Sequence, residues 1–170
     1  VKCYTEFLRA AGYYCTNNDK EDYQFIAPKS AWDESGKEAH WRNRPDKDQP
    51  FFAIFNFMRS HESQIWAWQG ESRSVHPDKV AVPPIYPDTK QVRRDLAQMH
   101  SNNTVMDMEV GEIIEQLIED GLMDNTIIIF YSDHGGPLPR SKRECTDAGT
   151  RVPFIVRYPD GRLAGTWDKE

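Results

Sequence analysis

The sequence predicts an α/β fold in which part of a mixed, mostly parallel sheet is flanked by helices. Three short apolar runs, rich in β-branched and aromatic residues, have the composition of buried strands. Polar loops follow two of these runs, and a long helical pattern separates the first run from the second. Helices alternating with buried strands are typical of this fold class.

Local signals predict the elements of the first half in chain order. Residues 4–11 have the pattern of an amphipathic helix that Gly12 ends, and a strand or turn follows over residues 13–18. Residues 27–50 have no periodicity and are predicted to form a long surface connection. The run FFAIFNFM at 51–58 is predicted to be a strand buried on both faces.

The second half begins with a long amphipathic helix. Asp88 or Thr89 can serve as its N-cap, and residues 119–121 end it. Apolar residues recur on one face between these bounds: Val92, Leu96, Met99, Met106, Val110, Ile113 and Leu117. Two further apolar runs, at 126–131 and 152–156, are predicted to be buried strands.

Length and composition limit the possible classes of protein. The chain has 170 residues, of which 38% are hydrophobic and 28% charged, and this is enough for a buried core. Its formal net charge of -6 argues against a general nucleic-acid binder. No apolar run approaches the roughly 18 residues that a transmembrane helix needs. The 3 cysteines are too scattered for a disulfide scaffold.

One candidate site directly follows the predicted strand at 126–131. In α/β sheets, functional residues gather in loops beyond the carboxyl ends of strands. Asp133 and His134 occupy such a loop, and two glycines come next. The two side chains can turn toward one metal ion, for which the carboxylate favours calcium and the imidazole favours zinc. The alternative is a solvated turn in which Asp133 caps the loop.

Two more candidates suit an anionic substrate. His61 follows the first predicted strand, where it can donate a hydrogen bond or protonate a leaving group. The alternative is a histidine held in a polar turn. Lys142 forms a basic cluster with Arg140 and Arg143 that suits a sulfate or phosphate ester. Most short basic clusters, however, are solvated surface.

Four segments together carry a family resemblance. They are AAGYYCTNNDKEDYQF (10–25), PFFAIFNFMRSHESQIW (50–66), the long helix, and TIIIFYSDHGGPLPRSKRECTDAGTRVPFIVRYP (126–159). In this order they resemble the sulfatases, most of all the bacterial, heparan-sulfamidase-like branch, within the alkaline phosphatase superfamily. The resemblance implies an alkaline-phosphatase-like fold and a sulfuric ester hydrolase.

The resemblance also implies roles for four residues. Asp133 and His134 match the family's Asp-Asn or Asp-His pair, which ligates calcium opposite two acidic residues of the first strand. Lys142 matches the basic residue that binds the sulfate, upstream of a G-x-R-x-P-type segment at 149–153. His61 matches the active-site histidine of the middle loop.

Several parts of the family pattern do not occur in these 170 residues. The family's nucleophile is a formylglycine made from the Cys or Ser of a C-x-P-x-R or S-x-P-x-R segment. None of Cys3, Cys15 and Cys145 stands in such a segment. The acidic pair of the first strand and the smaller C-terminal subdomain also lack counterparts. We therefore expect residues 1–170 to be a partial sulfatase catalytic domain that is inactive by itself.

The implied reaction is hydrolysis of a sulfate ester or sulfamate, on a sugar, to release inorganic sulfate. The implied cofactors are one calcium ion and the formylglycine, the implied partner is a sulfated small molecule or glycan, and the implied location is periplasmic or secreted. Two alternatives remain: a phosphomonoesterase or phosphodiesterase of the same superfamily, and an inactive relative that binds a sulfated glycan. Trp66 and Trp68 are candidates for stacking on a sugar, or for ordinary packing.

Overall fold

The computed structural model describes residues 2–66 and 74–159 of the chain. The chain divides into two compact units, Val1–Phe57 and Met58–Glu170. We call them unit 1 and unit 2 and describe each by itself.

Unit 1 is a small parallel sheet with one helix packed against it. Helix α1 spans Tyr4–Ala10, and Gly12 follows it at a φ of 94°, so the predicted helix end is confirmed. The strands are β1 (Tyr14–Asn18), β2 (Glu34–Ser35) and β3 (Phe51–Phe55), in the order β2-β1-β3. Both neighbours of β1 run parallel to it, and α1 packs against β1.

The segment between β1 and β3 is not the surface connection that the sequence predicts. It contributes β2 and a 3-10 turn at Trp41–Asn43, and the Trp41 side chain is only 1% exposed. The Trp41 ring packs on Phe51 and Phe55, at centroid distances of 5.7 and 5.6 Å. The prediction of a surface connection failed because a segment with irregular backbone and few apolar residues can still bury one large aromatic ring. Such a ring contributes much of the core of a small unit.

Strand β3 is confirmed, but its predicted burial on both faces is wrong. All five of its residues are partly exposed. The most buried strand of this sheet is β1, where Cys15, Thr16 and Asn17 are at most 2% exposed. Strand β1 is central because β2 and β3 pair with its two edges, so position in the sheet outweighs local hydropathy.

Unit 2 contains the remaining elements. Its helices are α2 (Ser63–Trp66), α3 (Lys90–Glu119) and α4 (Asp147–Thr150), and short 3-10 turns lie at Pro77–Lys79 and Met123–Asn125. Its strands are β4 (Ile128–Tyr131) and β5 (Phe154–Arg157), which pair antiparallel.

Helix α3 carries the core of unit 2. Thr89 is the N-cap, because its Oγ1 accepts a hydrogen bond from the Val92 N–H at 3.2 Å. Leu96 and Ala97 are buried together with Val80. Leu138 packs partly buried against this cluster, and the Tyr86 hydroxyl donates to the Pro139 carbonyl at 2.6 Å. These contacts fasten the loop that follows β4 to the segment preceding α3.

Strands β4 and β5 form where predicted, but they are not buried. On one face Ile129, Tyr131 and Phe154 are each more than half exposed. Within the described ranges no element covers this face, although its residues are those of a buried strand.

The fold class is confirmed as α/β, with a parallel sheet and packed helices. In the part of the chain that the structure describes, no helix is both long and apolar enough to cross a membrane.

Candidate active site

The loop after β4 brings Asp133 and His134 together. The Asp133 Oδ1 and the His134 Nε2 atoms lie 3.7 Å apart, and both side chains are partly exposed. The His134 Nδ1 atom lies 2.8 Å from the Gly135 carbonyl oxygen, which can only accept a hydrogen bond. Nδ1 therefore carries a proton, and Nε2 is the ring nitrogen on the side of Asp133.

This arrangement fits two ligands of one cation. Ligands at 2.3–2.6 Å from a calcium ion and at right angles to each other stand about 3.3–3.7 Å apart. A backbone carbonyl that fixes the tautomer is the usual support of a metal-binding histidine. Within residues 2–66 and 74–159, no group of three or more His, Cys, Asp or Glu side chains could hold a metal ion. Among the described residues, Asp133 and His134 by themselves could therefore provide two ligands at most.

Two glycines of this loop, Gly135 and Gly149, are required by close backbone approach. A Cβ atom on Gly135 would lie 1.9 Å from the Ala148 carbonyl oxygen, and one on Gly149 would lie 1.9 Å from that of Glu144. The Gly135 N–H donates to the Gly149 carbonyl at 2.8 Å, which holds the two ends of the loop together. In the same loop, Arg140 and Arg143 have positive φ values of 69° and 72°.

His61 and Lys142 meet although they are far apart in the sequence. The Lys142 Nζ atom lies 3.1 Å from His61 Nε2, and the Lys142 side chain is 17% exposed. Because an ammonium group carries only donors, His61 Nε2 accepts this hydrogen bond. The His61 Nδ1 atom is held by Ser63, whose hydroxyl oxygen lies 2.8 Å and whose backbone nitrogen lies 3.2 Å from it. His61 therefore lies between the Lys142 ammonium and Ser63, the first residue of α2. It is held in a polar turn, and it also contacts the predicted sulfate-binding lysine.

Within the loop that follows β4, the backbone links Lys142 to the Asp133-His134 turn. The Lys142 N–H donates to the Gly136 carbonyl at 3.1 Å, so the residue after the Asp133-His134-Gly135 turn holds the backbone of Lys142. All four predicted site residues lie in unit 2.

Sequence reasoning missed Glu62. Its side chain is only 10% exposed, and its Oε1 atom lies 3.3 Å from Lys142 Nζ and 2.9 Å from Arg143 Nη2. Two features of the sequence could have indicated Glu62: it directly follows His61, and the basic cluster at residues 140–143 needs an acidic partner if it is buried. Arg143 belongs to the predicted basic cluster, and the structure assigns it to this ion pair.

The predicted stacking pair can be located only in part. Trp66 ends α2 and is 72% exposed, so it is not a packing residue among the described residues. Trp68 lies outside the described residues.

In unit 1, an amide cluster joins the carboxyl ends of β1 and β3. The Asn56 amide donates to Asn17 Oδ1 at 3.1 Å and to the Asn18 carbonyl at 3.1 Å. Asn17 donates in turn to the Lys20 carbonyl at 2.9 Å. These bonds satisfy the buried amide of Asn17.

The Sulfatase family model matches residues 4–169. The chain belongs to the sulfatase family. Among curated proteins, an ulvan-active sulfatase of Formosa agariphila is 43% identical to this sulfatase chain, and the match covers all of the chain. The chain is 34% identical to the N-sulphoglucosamine sulphohydrolase of Homo sapiens over 52% of its length. It is 28% identical to an N-acetylgalactosamine-6-O-sulfatase of Bacteroides thetaiotaomicron over 78% of its length.

The sulfatase chain spans only part of these relatives. It covers 34% of the length of the ulvan-active sulfatase, 18% of the human enzyme and 29% of the Bacteroides enzyme.

Proposed function

We propose that the protein containing this chain hydrolyses a sulfate ester or sulfamate of a sugar and releases inorganic sulfate. Membership of the sulfatase family over residues 4–169 carries the proposal. The relatives are an ulvan-active sulfatase, an N-sulphoglucosamine sulphohydrolase and an N-acetylgalactosamine-6-O-sulfatase, which favours a sulfated sugar as the substrate class.

Lys142 is proposed to bind the sulfate group. Its ammonium has three donors, of which one is directed at His61 Nε2 and one at Glu62 Oε1. The third can bind a sulfate oxygen. A partly buried ammonium interacts with an anion more strongly than an exposed one, because less water screens the charge.

His61 is proposed to assist the leaving oxygen or nitrogen. In the resting geometry, Nε2 accepts from Lys142 and has no proton to give. When His61 gains a proton, Nε2 becomes a donor and the contact with Lys142 is lost. Both groups can then turn their N–H donors to the bound sulfate ester.

Asp133 and His134 would hold the calcium ion together with ligands from outside these residues. When bound, the ion would neutralise charge on the sulfate oxygens, and the formylglycine, which we expect outside this chain, would supply the nucleophile. The 3.7 Å distance between Asp133 Oδ1 and His134 Nε2 supports this role, because two ligands of one ion lie about this far apart.

The test uses the protein expressed from its complete gene together with a formylglycine-generating enzyme. Release of sulfate from 4-nitrophenyl sulfate, N-sulfoglucosamine and ulvan oligosaccharides is compared with release of phosphate from 4-nitrophenyl phosphate. We expect sulfate release that EGTA abolishes and calcium restores. The Lys142→Met variant should lose about 10²- to 10³-fold in kcat/KM, as enzymes do when one charge-stabilising donor is removed.

The exposed Lys79 provides the matched control, because Lys79→Met removes the same charge elsewhere in unit 2. Phosphate release that exceeds sulfate release and depends on zinc or manganese would instead indicate a phosphoesterase. Binding of sulfated ulvan without turnover of any substrate would indicate an inactive relative.

A further inference from the structure

Glu62 is a buried carboxylate to which the proposed reaction gives no role. It sits at the turn into α2, and its side chain is 10% exposed. Such a carboxylate is stable in a protein only when it is paired. Its partners are two cations of one loop, Lys142 at 3.3 Å and Arg143 at 2.9 Å.

The two partners differ in burial. The Arg143 side chain is 74% exposed, so water screens most of its charge, whereas that of Lys142 is 17% exposed. Arg143 also has a φ of 72°, which is uncommon for a residue with a side chain and occurs directly beside Lys142. The backbone at this point is held in an unfavourable region while Lys142 and Arg143 both reach Glu62.

Lys142 needs such a partner to act at a defined position. An ammonium group on a flexible four-carbon stem is a point charge without the fixed geometry of a guanidinium group. The neutral imidazole of His61 gives it one acceptor, and Glu62 gives it a charged one. With both contacts made, the direction of the third donor is defined.

We propose that Glu62 is a positioning residue: it holds the Lys142 ammonium beside His61 Nε2, ready to bind an anionic sulfate group. Its effect on catalysis rests on the proposed function, but the Glu62–Lys142–His61 arrangement does not. Glu62 itself touches no reacting atom.

The activity test is a double-mutant cycle in the protein expressed from its complete gene. Glu62→Gln keeps the shape of the side chain and removes its charge. We expect kcat/KM for the sulfate ester to fall about 10- to 100-fold, as it does when an outer partner of an active-site group is lost. In the Lys142→Met background the same change should have little further effect, because Glu62 acts through Lys142.

Glu109 is the matched control. Its carboxylate pairs with Arg59 at 2.9 Å in the same unit, so Glu109→Gln breaks an ion pair of similar length. We expect Glu109→Gln to leave kcat/KM unchanged. A Glu62→Gln effect of equal size with and without Lys142 would overturn the proposal, since it would show a general structural role.

A second readout needs no activity. In protein labelled with ¹⁵N-histidine, the His61 Nε2 signal is assigned by its loss in His61→Gln. Lys142→Met should shift this signal, Glu62→Gln should shift it in the same direction, and Glu109→Gln should not. If Lys142→Met shifts it and Glu62→Gln leaves it at the wild-type position, Glu62 does not position Lys142. Failure of the proposed function would show differently, as absence of sulfate release from the wild-type protein.

Discussion

At the residue scale, Gly149 is the clearest example of a side chain excluded by the backbone. A Cβ atom there would lie 1.9 Å from the Glu144 carbonyl oxygen and 2.5 Å from that of Ser141. Neither atom belongs to a flexible side chain that could move aside. We predict that Gly149→Ala lowers the free energy of unfolding by about 1–3 kcal/mol, as overpacking does. The measurement is the midpoint of denaturant unfolding.

The control for this prediction lies in the same loop. A Cβ on Gly136 would lie 3.9 Å from the Met99 sulfur, which is ordinary contact. Gly136→Ala should therefore leave the unfolding midpoint close to that of the wild type. Equal midpoints for Gly149→Ala and Gly136→Ala would contradict the argument from backbone approach.

Cys15 makes stability depend on alkaline pH. Burial raises the pKa of its thiol from 9.0 to about 11, and the negative charge of Asp33 acts in the same direction, against a smaller opposing effect of Arg9. The unfolded chain then loses the proton at lower pH than the folded chain. This contribution to stability is complete below about pH 9 and is lost as the pH rises toward 11. We predict that, between pH 9 and 11, the free energy of unfolding decreases less steeply with pH in Cys15→Ala than in the wild type.

Unfolding curves recorded at a series of pH values from 8 to 11 measure the slope. Cys145→Ala, which removes an exposed thiol, should keep the wild-type slope. A slope unchanged by Cys15→Ala would assign the alkaline loss to other groups. Tyr14 is one of these, because burial and its hydrogen bond to Glu34 raise its pKa to about 12.

At the scale of the element, α3 organises unit 2 and depends on its first turn. Thr89 Oγ1 satisfies the Val92 N–H, which has no partner within the helix. We predict that Thr89→Ala lowers the free energy of unfolding by about 1 kcal/mol. The loss should appear in the denaturant midpoint followed by circular dichroism at 222 nm.

Thr104→Ala is the matched change on the same helix. Thr104 is exposed, and its hydroxyl donates to the His100 carbonyl at 3.2 Å, so it caps no free backbone group. Alanine favours the helix interior more than threonine does, so we expect no loss of stability. If both variants lose the same stability, the N-cap of Thr89 contributes nothing specific.

In strand β4, the burial that the local sequence pattern predicts differs from the burial observed in the structure. The β-branched run at 126–131 indicates a buried strand, and β4 forms there with Ile129 and Tyr131 more than half exposed. Apolar alternation determines that a segment is extended, but which of its faces is covered depends on elements from elsewhere in the chain.

At the scale of the whole molecule, the 170 residues span 34% of the length of the ulvan-active sulfatase to which they are similar. They hold His61, Lys142, Asp133 and His134, but no C-x-P-x-R or S-x-P-x-R segment. We predict that the isolated 170-residue chain releases no sulfate from 4-nitrophenyl sulfate or N-sulfoglucosamine. Without the nucleophile, the charged groups that would bind the sulfate have no attack to assist.

Ion chromatography of released sulfate measures this, with circular dichroism of α3 to establish that the chain is folded. The protein expressed from the complete gene and matured with a formylglycine-generating enzyme is the positive control. Sulfate release by the folded isolated chain at a comparable rate would contradict the prediction.

Much of this protein follows from its sequence alone. The bounds of α3, the end of α1 at Gly12 and the existence of β3, β4 and β5 were predictable because caps, glycines and apolar periodicity act over a few residues. The family follows from the collinear segments. The burial of Trp41, the exposure of β4 and the need for Gly149 were not predictable, because each depends on atoms distant in the chain.

For the candidate site the same division holds. The residue types were predictable from polar loops after strands, so His61, Asp133, His134 and Lys142 could be named from the sequence. That Lys142 lies 3.1 Å from His61 and shares the buried carboxylate of Glu62 was decided only by the tertiary structure. The physical reason is that an ion pair depends on distance and desolvation, and both arise only when residues far apart in the sequence are packed together.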